Sequence, residues 1–394
     1  MEYRGKRKLI IAFSVVLTIL LVAVVSVFIA SGCFLKSKYL ETWNKNYSEN
    51  YKDVRVKIIS NGILAASGHN MQPWKIKLDD DKNIFYLYAD SHLLNLEVDP
   101  LARQTMITQG TFLEYLIVAG KKIGYDVNIE LFPKGVYDEK DLVNSMSSKP
   151  VAKINLSKTE ESAHLYNYMF YPDTNREAYE KTKLTKDQIS TLKLLSEENI
   201  DIRILDGEED LKRLGTLAMK GAEIEAGIHR MNVESANVFR SNEYTKNKFR
   251  YGYSFEGQDI KGLKMYLLEG AITLIPSINS EKASKDMYIS STKNSIDNTP
   301  CYGIVATKGN SRIEQVKSGM VYSRLVLTAQ SLGLAMQPLS QVLEEYPEMK
   351  DQYTKIHKEF AFPGETLQML FRIGKPTKEV PKSMRKDVMD IIEK

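Results

Sequence analysis

Residues 65–74 read Ala-Ala-Ser-Gly-His-Asn-Met-Gln-Pro-Trp, and no other ten residues of the chain narrow its fold so sharply. Ile58, Ile63, Leu64, Ala65 and Ala66 have the content of a buried helix end. Trp74-Lys75-Ile76-Lys77-Leu78 alternates as a strand does. Between them a turn offers the side chains of Ser67, His69, Asn70 and Gln72 around Gly68, and Pro73 fixes the backbone that enters the strand. Hydroxyl, imidazole and amide groups gathered at one junction suit a planar ligand rich in heteroatoms. The plainer reading is a helix–strand turn in which those groups cap the helix and Trp74 is core.

The stretch resembles the Ala-Pro-Ser-x-His-Asn-Thr-Gln-Pro-Trp signature of the nitroreductase-like flavoproteins, and most of all their tandem (Acg-type) branch, in which two such halves share a chain. Ser67, His69, Asn70, Gln72, Pro73 and Trp74 match; Ala66 replaces Pro, Gly68 a larger residue and Met71 Thr. The resemblance implies an α+β fold of two nitroreductase-like α/β sandwich halves forming a pseudo-dimer. It implies FMN, about one per chain, held between them. Ser67, His69, Asn70, Gln72 and Trp74 would be its contacts from the first half. From the second, Thr174-Asn175-Arg176 resembles the branch's Thr-Asn-Arg motif, and Lys382 and Arg385 resemble its basic C-terminal phosphate contact. Pro338, Leu339 and Ser340 fall where the family sets backbone amides near flavin N5. Taken singly, Arg176, Lys382 and Arg385 read as ordinary surface cations.

Leu9 to Ala30 contains no charged residue and is long enough to span a bilayer. Arg4, Lys6, Arg7 and Lys8 precede it, against Lys36 and Lys38 after it, an excess that places the N-terminus in the cytoplasm and the remainder outside. A single-pass anchor in the cell membrane is one fate. The other is cleavage at Ala30-Ser31-Gly32-Cys33, which resembles a lipoprotein site and would leave a lipidated Cys33. Residues 1–8 are then a basic flank, 9–30 the span, and 31–56 a juxtamembrane linker. Net charge is +4, of which Arg4, Lys6, Arg7 and Lys8 less Glu2 supply three, so the rest is near neutral and offers nothing to nucleic acid. With only Cys33 and Cys301, a stabilising disulfide is not expected.

Two distant segments share one plan. Residues 110–124 and 319–333 both run from Gly to Gly through an apolar helical pattern, pairing Leu116 with Leu325, Ile117 with Val326 and Ile123 with Leu332. An extended segment follows each, 125–132 and 334–339. Thr185 with Gln188 signals a capping box, and the helix after it leads to a strand with Ile202 and Ile204 alternating. This repeats the helix–turn–strand of residues 58–78 without its polar signature. The halves are expected at 57–165 and 166–394. Residues 134–149 and 277–298 are polar and read as loops, the second as a lid.

No zinc spacing joins the five histidines, Gly252 to Gly257 misses the nucleophile-elbow spacing, and no nicotinamide fingerprint is present. The resemblance implies two-electron transfer through FMN from NADH, NADPH or another donor to a nitroaromatic or quinone-type acceptor. Two alternatives stay open: a flavin-sequestering protein with little turnover, and a reductive dehalogenase of the same superfamily. Because one chain holds both halves, a monomer suffices.

Overall fold

The computed structural model describes residues 2–393. Glu2–Ser31 is one helix, α1, and its stretch Lys6–Ser31 is long and apolar enough to cross a membrane. The stretch expected as a linker is folded: its two short 3-10 turns carry Tyr39, Trp43 and Tyr47 into the interior.

The first half comprises α2 (Val54–Gly62), β1 (Trp74–Leu78), β2 (Ile84–Ala89), α3 (Arg103–Lys122), β3 (Tyr125–Leu131), α4 (Leu142–Ser148) and β4 (Ala152–Lys158). Its antiparallel sheet runs β1-β2-β4-β3, with Ile76 opposite Leu87. The second half opens with α5 (Lys186–Lys193), started by the capping box that Thr185 and Gln188 foretell, and β5 (Ile200–Leu205). Then come five helices: α6 (Glu208–Gly227), α7 (His229–Val238), α8 (Glu243–Phe249), α9 (Gly262–Leu274) and α10 (Glu281–Asp297). The sheet resumes with β6 (Tyr302–Thr307), α11 (Arg312–Ser331), β7 (Ala335–Pro338), α12 (Lys350–Phe360) and β8 (Thr366–Gly374). Its antiparallel order is β5-β6-β8-β7, the same order as the first sheet when strands are counted within each half.

The two long helices that follow the second strand of each half, α3 and α11, pack on one another. Ile107 of α3 belongs to the apolar cluster of the second half, and Val316 and Leu327 of α11 to that of the first. The strands of the second sheet are more deeply buried, with every residue of β6 inside, which suits a continuous apolar run more than alternation.

Three expectations are corrected. Residues 277–298 are not a loop: a 3-10 turn at Pro276–Asn279 leads into α10, whose N-terminus Ser280 caps by accepting from the Ala283 amide. The helix escapes notice in the sequence because its buried edge is Thr292 and Ser295, small polar residues that leave no apolar stripe. The pairs Lys282–Asp286 and Lys293–Asp297 support it from outside. Residues 134–149 likewise contain α4. The C-terminal residues, assigned by sequence to the second half, return to the first. The Ile76 amide donates to Ile391 O at 2.7 Å, Glu393 N donates to Ile76 O at 2.8 Å, and Val388, Ile391 and Ile392 join the first core.

Candidate functional site

Between the halves lies a cavity of about 450 Å³. Ser67, His69 and Asn70 line it from the turn before β1; Thr174, Arg176, Pro338 and Leu339 line it from the second half. The five-helix insertion completes the wall with Glu225, Phe239, Asp259 and residues of α10.

The turn is held under strain. His69, Asn70 and Gln72 all have left-handed backbones, with φ of 48°, 53° and 51°. Only asparagine adopts that region with any ease, and each such residue costs on the order of 1–3 kcal/mol. The hydrogen bonds around it over-determine the shape. Asn70 N donates to Ser67 O at 2.9 Å, Gln72 N to Ser67 Oγ at 3.1 Å, and Trp74 N to Gln72 O at 2.8 Å. Trp74 anchors the exit: its ring stacks on Phe112 and its Nε1 donates to Thr108 O.

The amides of the turn bind the protein's own backbone. Asn70 Nδ2 donates to Gly252 O and Met384 O, at 2.9 and 3.0 Å. Gln72, wholly buried, donates to Arg250 O and accepts from Lys386 N. The turn therefore clasps both the insertion and the C-terminal tail, and Gln72 and Trp74 lie behind the cavity wall. Asn175 is also buried, donating to Lys378 O. Ser340 Oγ is engaged with the backbone of Leu370. Lys382 lies over the Trp43 ring.

The two arginines differ in a way sequence does not show. Arg385 is enclosed: Nη2 donates to Asp173 Oδ2 and Leu64 O, each at 2.9 Å, and Nη1 to Asn70 Oδ1, Ser383 Oγ and Met384 O. Its charge is neutralised by Asp173, so it ties the tail to the turn. Arg176 stands in the cavity wall with one side-chain hydrogen bond, from Nη1 to Gly257 O at 2.6 Å, and no carboxylate within ion-pair distance among the described residues. It is a cation available to an anionic ligand.

Burial, with the charge of Arg176, pulls His69 down to about 4, so its ring is neutral near pH 7. Its Nδ1 lies 2.9 Å from Asn95 Nδ2, which makes Nδ1 the acceptor and leaves the proton on Nε2. Burial raises Asp259 to about 6 against the pull of Arg176, and raises Glu225 to about 7. Glu225, Asp259 and Phe239 carry no motif. They enter the site through an insertion whose sequence gives no sign of it.

No family model matches the chain, and no curated protein does. The solved structures it resembles include nitroreductase-like and FMN-dependent proteins. A nitroreductase-like family protein from Bacillus cereus is 12% identical with a TM-score of 0.31, covering 60% of this chain and 97% of that one. The FMN-dependent nitroreductase NfnB from Mycobacterium smegmatis, in complex with NADPH, is 12% identical with a TM-score of 0.30, over 54% and 90%. Oxidized iodotyrosine deiodinase bound to FMN and 3-iodo-L-tyrosine is 15% identical with a TM-score of 0.30, over 57% and 95%. At TM-scores of 0.30 to 0.31 these likenesses carry no argument about fold or function.

Proposed function

We propose that the chain is a membrane-anchored, FMN-dependent oxidoreductase of the nitroreductase kind, with one flavin between two halves that act as a built-in dimer. One observation carries the reading. Ser67, His69 and Asn70 on one side, and Arg176, Pro338 and Leu339 on the other, line a single cavity. These are residues from both halves that the resemblance assigned to one site. The residues fit the cofactor at both ends. Arg176, with no carboxylate in ion-pair distance of its side chain among the described residues, offers a cation to the phosphate, and the turn and the Phe239 wall offer polar edges with an apolar face to a ring.

FMN would supply hydride transfer, so no protein nucleophile is needed. The protein's part is to hold and to shield. His69, neutral with its proton on Nε2, can donate a hydrogen bond without adding charge. Glu225, titrating near neutrality, can hold or release a proton at the cavity wall. A reduced nicotinamide or another carrier would be the donor, and a nitroaromatic or quinone-type compound the acceptor. Flavin sequestration is the second reading, favoured by the helical wall that α10 builds where a movable loop was expected.

The test is a flavin count on the full chain purified in detergent. About one FMN released per chain is expected. Two per chain, or none after reconstitution, would sink the proposal. Anaerobic bleaching of bound flavin by NADH or NADPH, with recovery on adding a quinone, separates turnover from storage.

A further inference from the structure

We infer that α9 is a second membrane contact, lying in the interfacial layer of the bilayer beside α1 and holding the α10 wall of the cavity at the lipid surface. Gly270 of α9 sits directly against the backbone of Val27: a Cβ built on it would fall 2.0 Å from Val27 O. Only a residue without a side chain permits that approach, the usual device where helices meet in lipid. Val27 lies four residues before Ser31, where α1 ends, and nine before Lys36, the first charge after the apolar run. At 1.5 Å of rise per residue, the crossing point is about 6 Å on the hydrocarbon side of the helix end.

The composition of α9 suits that depth. Leu263, Leu267 and Leu274 are 66%, 41% and 50% exposed, and Ile275 and Ile278 just after it are 54% and 45% exposed. In water this would be a continuous apolar patch with nothing to cover it. Lys261 and Lys264 sit at its N-terminal end, where amines reach the headgroups. On its inner side Met265 and Ile272 pack with Phe239 and Phe255, which line the cavity. The chain then passes through Pro276–Asn279 into α10, whose Met287 lines the same cavity while 43% exposed. Continuity with α1 makes the bilayer the occupant of the patch, in preference to a second copy of the chain. The inference holds whatever the cavity binds.

The test reconstitutes the full chain, with Cys33→Ser, into vesicles of phosphatidylcholine and phosphatidylglycerol. An environment-sensitive fluorophore is attached singly at Val25→Cys, Leu267→Cys, Leu274→Cys, Met287→Cys and Leu194→Cys. Leu194, just past the end of α5, is 79% exposed, and α5 packs on β5 and α11. Spin-labelled lipids are the quenchers. Leu267 and Leu274 labels should be quenched at least half as strongly as the Val25 label, Met287 more weakly, and Leu194 hardly at all. Quenching at Leu267 and Leu274 no stronger than at Leu194 would overturn the inference. So would labels shielded from both lipid quencher and aqueous iodide, because that pattern means protein covers the patch. An unchanged melting curve certifies each variant, and Ile278→Cys replaces any that unfolds.

Discussion

Gly110 and Gly319 meet where α3 crosses α11, and neither leaves room for a methyl group. A Cβ on Gly110 would fall 1.8 Å from Val316 O, and one on Gly319 would fall 1.9 Å from Ile107 O and 3.1 Å from the Gly110 Cα. The residues that correspond in the two sequence segments are thus the ones that touch in space, each pressing on the same turn of the other's helix. A dimer of identical subunits makes such a contact about its two-fold axis.

Gly110→Ala and Gly319→Ala should each destabilise the chain by about 2 kcal/mol or more, because the obstacle is backbone and cannot step aside as a side chain can. Gly227→Ala is the control: a Cβ there would meet nothing within 4 Å, so it should be neutral or gain about 0.5 kcal/mol. Urea unfolding of the three variants checks this. Equal midpoints would mean that α3 and α11 separate more readily than their packing implies.

Arg176 and Arg385 should respond oppositely. Arg176→Ala should weaken FMN binding by about 1.5–3 kcal/mol, leave riboflavin binding unchanged and barely move the melting temperature. Arg385→Ala strands Asp173 and several buried acceptors, and should cost about 3–5 kcal/mol of stability. Titrating both flavins into both variants, beside their melting curves, decides the matter. A loss confined to FMN in Arg385→Ala would restore it as a phosphate ligand.

Much of this architecture is legible in the sequence because it is local. Thr185 and Gln188 mark a helix start, glycines 124 and 333 mark helix ends at φ of 74° and 73°, and the alternation in residues 74–78 and 200–205 marks strands. The decapeptide reads as a polar turn, and the structure sets Ser67, His69 and Asn70 of that turn against a cavity. What it hides is direction. Asn70 and Gln72 carry the chemistry to bind a ring, but three left-handed residues turn their amides onto the backbone of residues 250, 252 and 384. Those partners lie about 180 and 310 positions away, beyond any periodicity. Arg385 misleads for the same reason, since the carboxylate that neutralises it is Asp173, 212 residues upstream.

His69 offers a pH signature. Its folded-state value near 4 lies below the ordinary 6.5. Between those values the unfolded chain takes up a proton that the folded chain refuses. The contribution is therefore fully present above pH 6.5 and lost as pH falls towards 4. Glu225, raised to about 7, works the other way and loses stability as pH rises. His69→Asn, tolerated at φ 48°, should close the gap with wild type by on the order of 1–2 kcal/mol on going from pH 7 to pH 4.5. Parallel pH–stability curves for the two proteins would show that the imidazole stays solvated.

Lys246 is the last lever. Its Nζ lies 2.5, 2.6 and 2.7 Å from carboxylate oxygens of Glu243, Glu256 and Glu269, all buried beneath α8 and α9. Burial lifts Glu269 to about 8, so it keeps its proton near pH 7, and the ammonium is what permits the other two carboxyls to be buried beside it. Lys246→Met keeps the bulk of the stem and removes the charge, and near pH 7 it should cost about 3–5 kcal/mol. Acidification to pH 5 should recover part of that loss, because carboxylates without a cation take up protons there. Glu269→Gln mimics the protonated side chain while the lysine stays, and should be nearly neutral at pH 7. Thermal melts of both variants at the two pH values give the answer. A Lys246→Met chain that melts like wild type at pH 7 would mean that the three glutamates are already protonated, and that the lysine is packing material only.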